Sequence, residues 1–414
     1  MLPSGLRVVT ERVPGSHTFS IGFFIDVGSR HEVASLHGAS HFLEHVLFKG
    51  TNRRGPEEIS AAIESVGGDI NAYTAKEHTC FYARVLAEDA DLAVDVLTDM
   101  LTDSLVLSRE VDAEREVILD EISMHSDDPG ETATELVTSH LFGEAALGLP
   151  VIGSQASIRA LSRQQIVRHW RRHYQPSSMV VSAAGDVEHE RLCELLAGFG
   201  TGRDGSRRRS APSRINTEPA LLTRSRNLEQ CSAVLALASP GIFDDRRYPL
   251  GLLSLIVGGG MSSRLFVEIR ERRGLTYGID AGETAYSDAG LWSVDWQCAP
   301  DKLADILSLV KATLNDVAEH GVTGAELRRA KGQMRGQTAL AFEGAASRMS
   351  RLGSSELIGD RRTLGDILDR FDQVSAEDVQ REAGQLFGQP PVLGLVGPKV
   401  PRRPLQTILK DWPG

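Results

Sequence analysis

Two periodicities take turns along the first half of the chain. Leu6–Thr10 and Thr18–Val27 are dense in β-branched and aromatic residues and predict strands. His41 to Phe48 and Pro56–Val66 carry helical spacing, Asp69–Val85 is β-rich again, and helices follow over Ala90–Leu101 and from about Ser108 to Met124. The second half repeats that order. Strand-like Cys231–Ala238 leads to a helix through Leu250–Val257, a Gly-rich turn and a helix ending at Arg270. The β-rich stretches Leu275–Ala281 and Gly290–Gln297 come next, then helices over Lys302–His320 and Thr323–Glu343. Strands and helices do not keep a βαβ rhythm. The expected class is therefore α+β, with two homologous domains, each a mainly antiparallel sheet with helices packed on it. A repeated order of elements points to gene duplication.

Residues 201–214 are rich in Gly, Ser, Pro and Arg and have no apolar period, which marks an exposed linker. The expected domains are 1–200 and 215–414. A chain of 414 residues needs more than one core in any case.

Composition narrows the function classes. A net charge of −11 argues against nucleic acid as the main partner. No stretch approaches the 18 or so apolar residues of a membrane span. The chain opens on a strand with no signal-peptide pattern, so a cytoplasmic location is expected. Cys80, Cys193, Cys231 and Cys298 are far apart beside apolar residues and read as buried free thiols.

The chemistry is concentrated in Gly38-Ala-Ser-His-Phe-Leu-Glu-His-Val-Leu-Phe-Lys-Gly50. At 3.6 residues per turn, His41, Glu44 and His45 share one helix face. Two imidazoles one turn apart can grip a zinc ion, and the acid between them lies beside the open coordination position. This His-x-x-Glu-His order inverts the commoner His-Glu-x-x-His. A catalytic zinc needs a third protein ligand. In Val111–Met124, Val111, Val117, Ile118 and Ile122 gather on one side with Glu114 and Glu121 among them. Carboxylates on an inward face are costly unless paired, and a cation resolves that cost for one of them. Spacing alone leaves Glu114 and Glu121 both open as the ligand, and pairing with arginines across the core is the competing reading.

These residues resemble the inverted-zincin peptidases of the insulinase and pitrilysin clan, most closely the branch of mitochondrial processing peptidase and its bacterial relatives. The resemblance runs from Gly5 to Gly384. His41-Phe-Leu-Glu-His45 with Phe-Lys-Gly-Thr51 is similar to the metal helix of that family, and Glu114-Arg-Glu-Val-Ile-Leu-Asp-Glu121 to its second motif. The resemblance implies one Zn2+ per chain held by His41, His45 and Glu121, with Glu114 as a catalytic-site acid. Asn71-Ala-Tyr-Thr74 resembles the edge strand that receives substrate by β-augmentation, which implicates Asn71, Ala72 and Tyr73. Phe48 matches a residue lining the pocket after the scissile bond. Arg270-Glu-Arg-Arg-Gly-Leu-Thr-Tyr277 resembles an Arg–Tyr pair that contacts the substrate carbonyl, which implicates Arg270 and Tyr277. A helix end at Arg270 capped by Gly274 suits the same residues. Val257-Gly-Gly-Gly-Met-Ser262 lacks the Lys-Ser/Thr of a phosphate loop. The remaining histidines form no second cluster, His78 being notable only for its nearness to the substrate strand.

The expected function is a zinc metalloendopeptidase that hydrolyses unstructured peptides, presequence-like ones among them. Glu44 would assist attack by zinc-bound water. Family architecture implies a homodimer around a closed chamber, with the metal from one subunit and Arg270 and Tyr277 from the other. The alternatives are a non-catalytic scaffold subunit of the core type and a catalytic subunit that requires an inactive partner.

Overall fold

A computed structural model of the protein describes residues 1–143, 146–200 and 214–412. The first half runs β1 (Arg7–Arg12), β2 (Thr18–Ile25), α1 (Ala39–Leu47), α2 (Pro56–Glu64), β3 (Asp69–Thr74), β4 (Thr79–Leu86), α3 (Ala90–Asp103) and α4 (Ser108–Asp127). It continues with α5 (Pro129–Phe142), α6 (Gln155–Ala160), α7 (Arg163–His173), β5 (Met179–Gly185) and α8 (His189–Leu195). The second half runs β6 (Ala220–Ser225), β7 (Cys231–Ser239), α9 (Arg247–Val257), β8 (Ile279–Ala285), β9 (Gly290–Cys298), α10 (Leu303–His320) and α11 (Gly324–Ala341). Then come α12 (Ala345–Ile358), α13 (Leu364–Gln373), α14 (Ala376–Phe387), β10 (Val392–Gly397) and α15 (Arg402–Lys410).

The two sheets have one topology. Their orders are β1-β5-β2-β4-β3 and β6-β10-β7-β9-β8, each strand of the second sheet answering the strand five earlier. In both, one outer pairing (β1 with β5, β6 with β10) is parallel and the other three are antiparallel, so the sheets are mixed. The repeated order in the sequence is thus a repeated fold. The linker expected at 201–214 lies, but for its last residue, outside the described residues.

β2 shows why a strand can be apolar throughout. Phe19, Ile21, Phe23 and Ile25 point into a core shared with α1, α2, α3 and α4, while Phe24 points the other way. Phe24 is nonetheless fully buried, because Met349 and Leu357 of α12 cover it together with Val180 and Ala184 of β5. Both faces being covered, period-two alternation vanishes from the sequence. α12 comes very close: a Cβ on Gly353 would sit 2.2 Å from the Phe24 ring. The second sheet repeats the device. α5, through Ala133, Val137, Leu141 and Phe142, covers Val234 and Ala236 of β7 and Val392 and Val396 of β10.

The compact units are therefore not the contiguous halves 1–200 and 215–414. One gathers Met1–Ser123, the stretch from Pro150 and Ala339–Arg361; the other gathers Met124–Leu149, the stretch up to Thr338 and Arg362–Gly414. Each half sends one helix onto the other's sheet, which no contiguous boundary can represent. Among the described residues, no helix is long and apolar enough to cross a membrane. All four cysteines are free thiols, Cys193 half-buried and the others buried.

Candidate metal centre

α1 packs Phe42, Leu43, Val46 and Leu47 into the core of the first unit, each fully buried. That burial turns His41, Glu44 and His45 together to the opposite side. The helix begins at Gly38, whose φ of 88° is left-handed and which has no side chain to cap the first amides. Glu32 caps in its place. Its Oε2 accepts from the Gly38 N–H at 2.7 Å and its Oε1 from the Ser40 N–H at 2.6 Å. Burial pushes the Glu32 carboxyl up to about 7, against the pull of those two amides. The Ser40 hydroxyl also meets Nε2 of the buried His169 on α7, 3.0 Å away. The turn preceding His41 is thus tied down from two directions.

α4 is fastened across α1 by Arg115, whose guanidinium lies 5.3 Å over the Phe42 ring and donates to the carbonyl of Ile158. Val111, Ile118, Leu119 and Ile122 are its buried apolar residues. Val117, grouped with them by period, is 49 % exposed, since it sits at the border of that stripe. The inward turn of α4 delivers both acids. Glu121 Oε2 is 3.6 Å from His45 Nε2 and 3.8 Å from His41 Nε2. Glu114, 5 % exposed, accepts from His45 Nδ1 at 3.1 Å and from Lys49 Nζ at 2.7 Å.

His41, His45 and Glu121 each offer one ligand atom, and the three atoms lie within 4.8 Å of one another. Donors bound tetrahedrally at about 2.0–2.1 Å stand about 3.3 Å apart, so the residues present fit a zinc ion after a small contraction. Two nitrogens and one carboxylate oxygen are also a donor set that zinc accepts with one position left over. With Glu114 as the partner of Nδ1, the tautomer of His45 that donates from Nδ1 leaves Nε2, on the side of Glu121, as the atom that can bind a metal.

Glu44 lies beside the trio. Burial raises its carboxyl; the Thr74 hydroxyl, which donates to Oε2 at 2.5 Å, and His45 pull it down, and Glu121 raises it again. Thr74 ends β3, the outermost strand of its sheet. The hairpin bond from the Ala75 N–H to the His78 carbonyl, 2.8 Å, sets the phase in which Asn71 and Tyr73 bond to β4. The Ala72 N–H therefore faces outward, where Asn71 Oδ1 accepts it at 2.8 Å. Tyr73 reaches His78, with 3.2 Å between its hydroxyl and Nε2. Phe48, at the end of α1, stacks on Phe81 with ring centroids 6.0 Å apart.

Arg270 and Tyr277 belong to the second unit. Arg270 sits on a short π-helix, Phe266–Glu271, with its guanidinium 4.7 Å over Phe266 and 5.6 Å from the Tyr277 ring. Its Nε donates to the Tyr277 carbonyl at 2.9 Å, and the Tyr277 side chain is 90 % exposed. Gly274, at φ 60°, returns its N–H to the Arg270 carbonyl at 3.0 Å, the left-handed cap expected there.

Residues 7–155 match the sequence signature described as insulinase (peptidase family M16), and residues 160–334 match that of the peptidase M16 inactive domain. A protein of Streptomyces coelicolor named an uncharacterized zinc protease is 42 % identical, over 96 % of this chain and 88 % of its own. The chain belongs to peptidase family M16. Another M16 relative, likewise named an uncharacterized zinc protease, from Bacillus subtilis, is 34 % identical over 95 % of this chain and 97 % of its own. Two solved structures share the M16 fold at 19 % identity. A protease from Helicobacter pylori has a TM-score of 0.91, covering 96 % of this chain and 98 % of its own. A chain of complex III2 from Candida albicans has a TM-score of 0.84, covering 96 % and 95 %.

Three side chains of this M16 centre were not among the residues read from sequence as site residues. Lys49 lies four residues beyond His45 and could have been found by helical spacing. Thr74 shares a strand face with Ala72 and could have been found by alternation. Glu32 left no sequence signal, because a cap supplied from six residues upstream of Gly38 follows no local motif.

Proposed function

We propose that this M16 protein is a zinc metalloendopeptidase of unstructured peptides, with His41, His45 and Glu121 as the ligands and Glu44 as the general base. The observation that carries the reading is the convergence of two imidazoles from α1 and one carboxylate from α4 on a gap of cation size beside the half-buried acid Glu44. Zinc in that gap supplies Lewis-acid polarisation of water and of the scissile carbonyl. Glu44 takes the proton from the attacking water and delivers it to the leaving amine. Glu114 holds the Nδ1 proton of His45, and Lys49 holds Glu114. Substrate adds to β3 as an extra strand after Asn71 gives up the Ala72 N–H, so that main-chain pairing accepts varied sequences. Phe48 lines the pocket after the scissile bond, and Arg270 with Tyr277 donates to the developing oxyanion.

In this reading the protein works as a homodimer, the metal site of one subunit completed by Arg270 and Tyr277 of the other. A non-catalytic scaffold gains no support from a site in which the ligands and the base are all present. The test is Glu44→Gln measured beside the wild type on an unstructured fluorogenic peptide. The variant should keep its zinc and lose roughly 10²- to 10⁴-fold in turnover, the usual worth of a general base. Chelation should silence the wild type and added zinc should restore it. Full activity in zinc-loaded Glu44→Gln overturns the assignment.

A further inference from the structure

We propose that Thr74 is a positioning residue for hydrolysis: its hydroxyl fixes the carboxylate of Glu44 and so ties the general base to the strand on which the substrate docks. The proposal rests on the reading of Glu44 as the base.

Alternation along β3 puts Ile70, Ala72 and Thr74 on the half-buried face, where the strand packs against α1, and Asn71 and Tyr73 on the exposed one. Thr74 is thus the hydroxyl residue of β3 that faces Glu44, and its Oγ1 donates to Glu44 Oε2 at 2.5 Å. Among the described residues Glu44 accepts no other hydrogen bond, so Oε2 is held and Oε1 is left for the water. An unrestrained glutamate has three rotatable bonds to freeze before it can act. A threonine is stiff at χ1, so its hydroxyl is already aimed.

The anchor itself does not drift. Thr74 pairs with Thr79 across the hairpin, and the turn beyond it is clasped by the Ser29 N–H to the Ala75 carbonyl (3.2 Å) and the Arg30 N–H to the Lys76 carbonyl (2.8 Å). Arg30 adds an ion pair to Glu77 at 2.6 Å, its side chain 5 % exposed. A peptide paired with β3 and a carboxylate held by β3 then share one frame of reference. The scissile bond and the base keep their spacing whatever side chains the peptide brings.

The experiment compares Thr74→Val, Thr74→Ser and Thr74→Ala with the wild type, each loaded with zinc and checked for metal content and thermal unfolding. Valine keeps the shape and the strand preference but removes the donor. Thr74→Val should lower kcat roughly ten- to hundred-fold, the cost of a misplaced reacting group, with KM and zinc content unchanged. Thr74→Ser should restore most of kcat, and Thr74→Ala repeats the Val arm should Val disturb folding. Placed on Glu44→Gln, Thr74→Val should cost nothing further. Wild-type kcat in Thr74→Val, a change confined to KM, or failure of Ser to rescue overturns the proposal while an inactive Glu44→Gln leaves the peptidase reading standing. An active Glu44→Gln removes the reading itself.

Discussion

Lys49 Nζ lies 2.7 Å from Glu114 Oε1, so the carboxylate that engages His45 is itself held from just beyond the end of the helix that bears His45. The chain from ammonium to carboxylate to imidazole closes on a single helix end. Removing the middle member takes the carboxylate from Lys49 Nζ and from His45 Nδ1, leaving His45 only its contact with Glu121 through Nε2. Glu114→Ala should weaken zinc binding roughly 10- to 100-fold, the usual worth of a group that orients a ligating histidine. Lys49→Met should show a smaller loss, since Glu114 keeps its bond to His45. Competition with a chromophoric chelator measures both. Equal affinity in Glu114→Ala and wild type excludes the orienting role.

Glu32 caps the metal helix where the cap residue itself has nothing to offer. Glu32→Ala should cost about 1–2 kcal/mol of unfolding free energy, the upper range for a lost N-cap. Glu32→Gln should cost less, having one acceptor oxygen in place of two. Urea unfolding of the metal-free protein gives the number, and an unchanged midpoint for Glu32→Ala refutes the cap.

His169 supplies a pH signature. Burial, with His173, Arg172 and His31 adding to it, holds its imidazole down to about 3 against an ordinary 6.5. Between those values the unfolded chain binds a proton that the folded protein refuses, so stability falls as pH drops from about 6.5 towards 3. The slope is at most about 1.4 kcal/mol per pH unit. In metal-free protein, His169→Gln should flatten the acid limb of the stability curve. Parallel limbs in the two proteins would refute this.

Gly353 gives a packing prediction. A methyl there would meet the Phe24 ring at 2.2 Å, too close for either to stay in place. Gly353→Ala should destabilise the protein by about 1–3 kcal/mol, the range for overpacking, and Phe24→Leu in the same chain should recover part of it. A neutral Gly353→Ala, read by denaturant unfolding, would show that α12 shifts freely.

Mixing subunits tests shared catalysis. Glu44→Gln and Tyr277→Phe proteins, each impaired alone, should regain activity when combined as dimers, up to about a quarter of the wild type by random pairing. Confirmed mixed dimers without recovery rule out sharing between subunits.

Much of this was legible beforehand. The pattern at Thr18–Val27, the helix around His41–His45 and the second-half order from Cys231 onward all match elements of the fold, because each carries its own period. What stayed hidden depends on contacts distant in sequence. β5 enters its sheet between β1 and β2, and β10 enters its sheet between β6 and β7, and no local pattern announces which strands they will separate. Val117 looked inward by period yet lies on a border that only the packing of α4 on α1 defines. Spacing within α4 leaves Glu114 and Glu121 equivalent; the family resemblance singles out Glu121, and it is Glu121 that lies within 3.8 Å of both His41 Nε2 and His45 Nε2.

The crossing of α5 and α12 between the sheets has a practical outcome. Severing the connector at 201–214 would yield no pair of autonomous modules. Each fragment would keep a helix meant for the other and lose the cover for its own Phe24 or Val234 face, so the pieces should stay associated after a nick and aggregate when made separately.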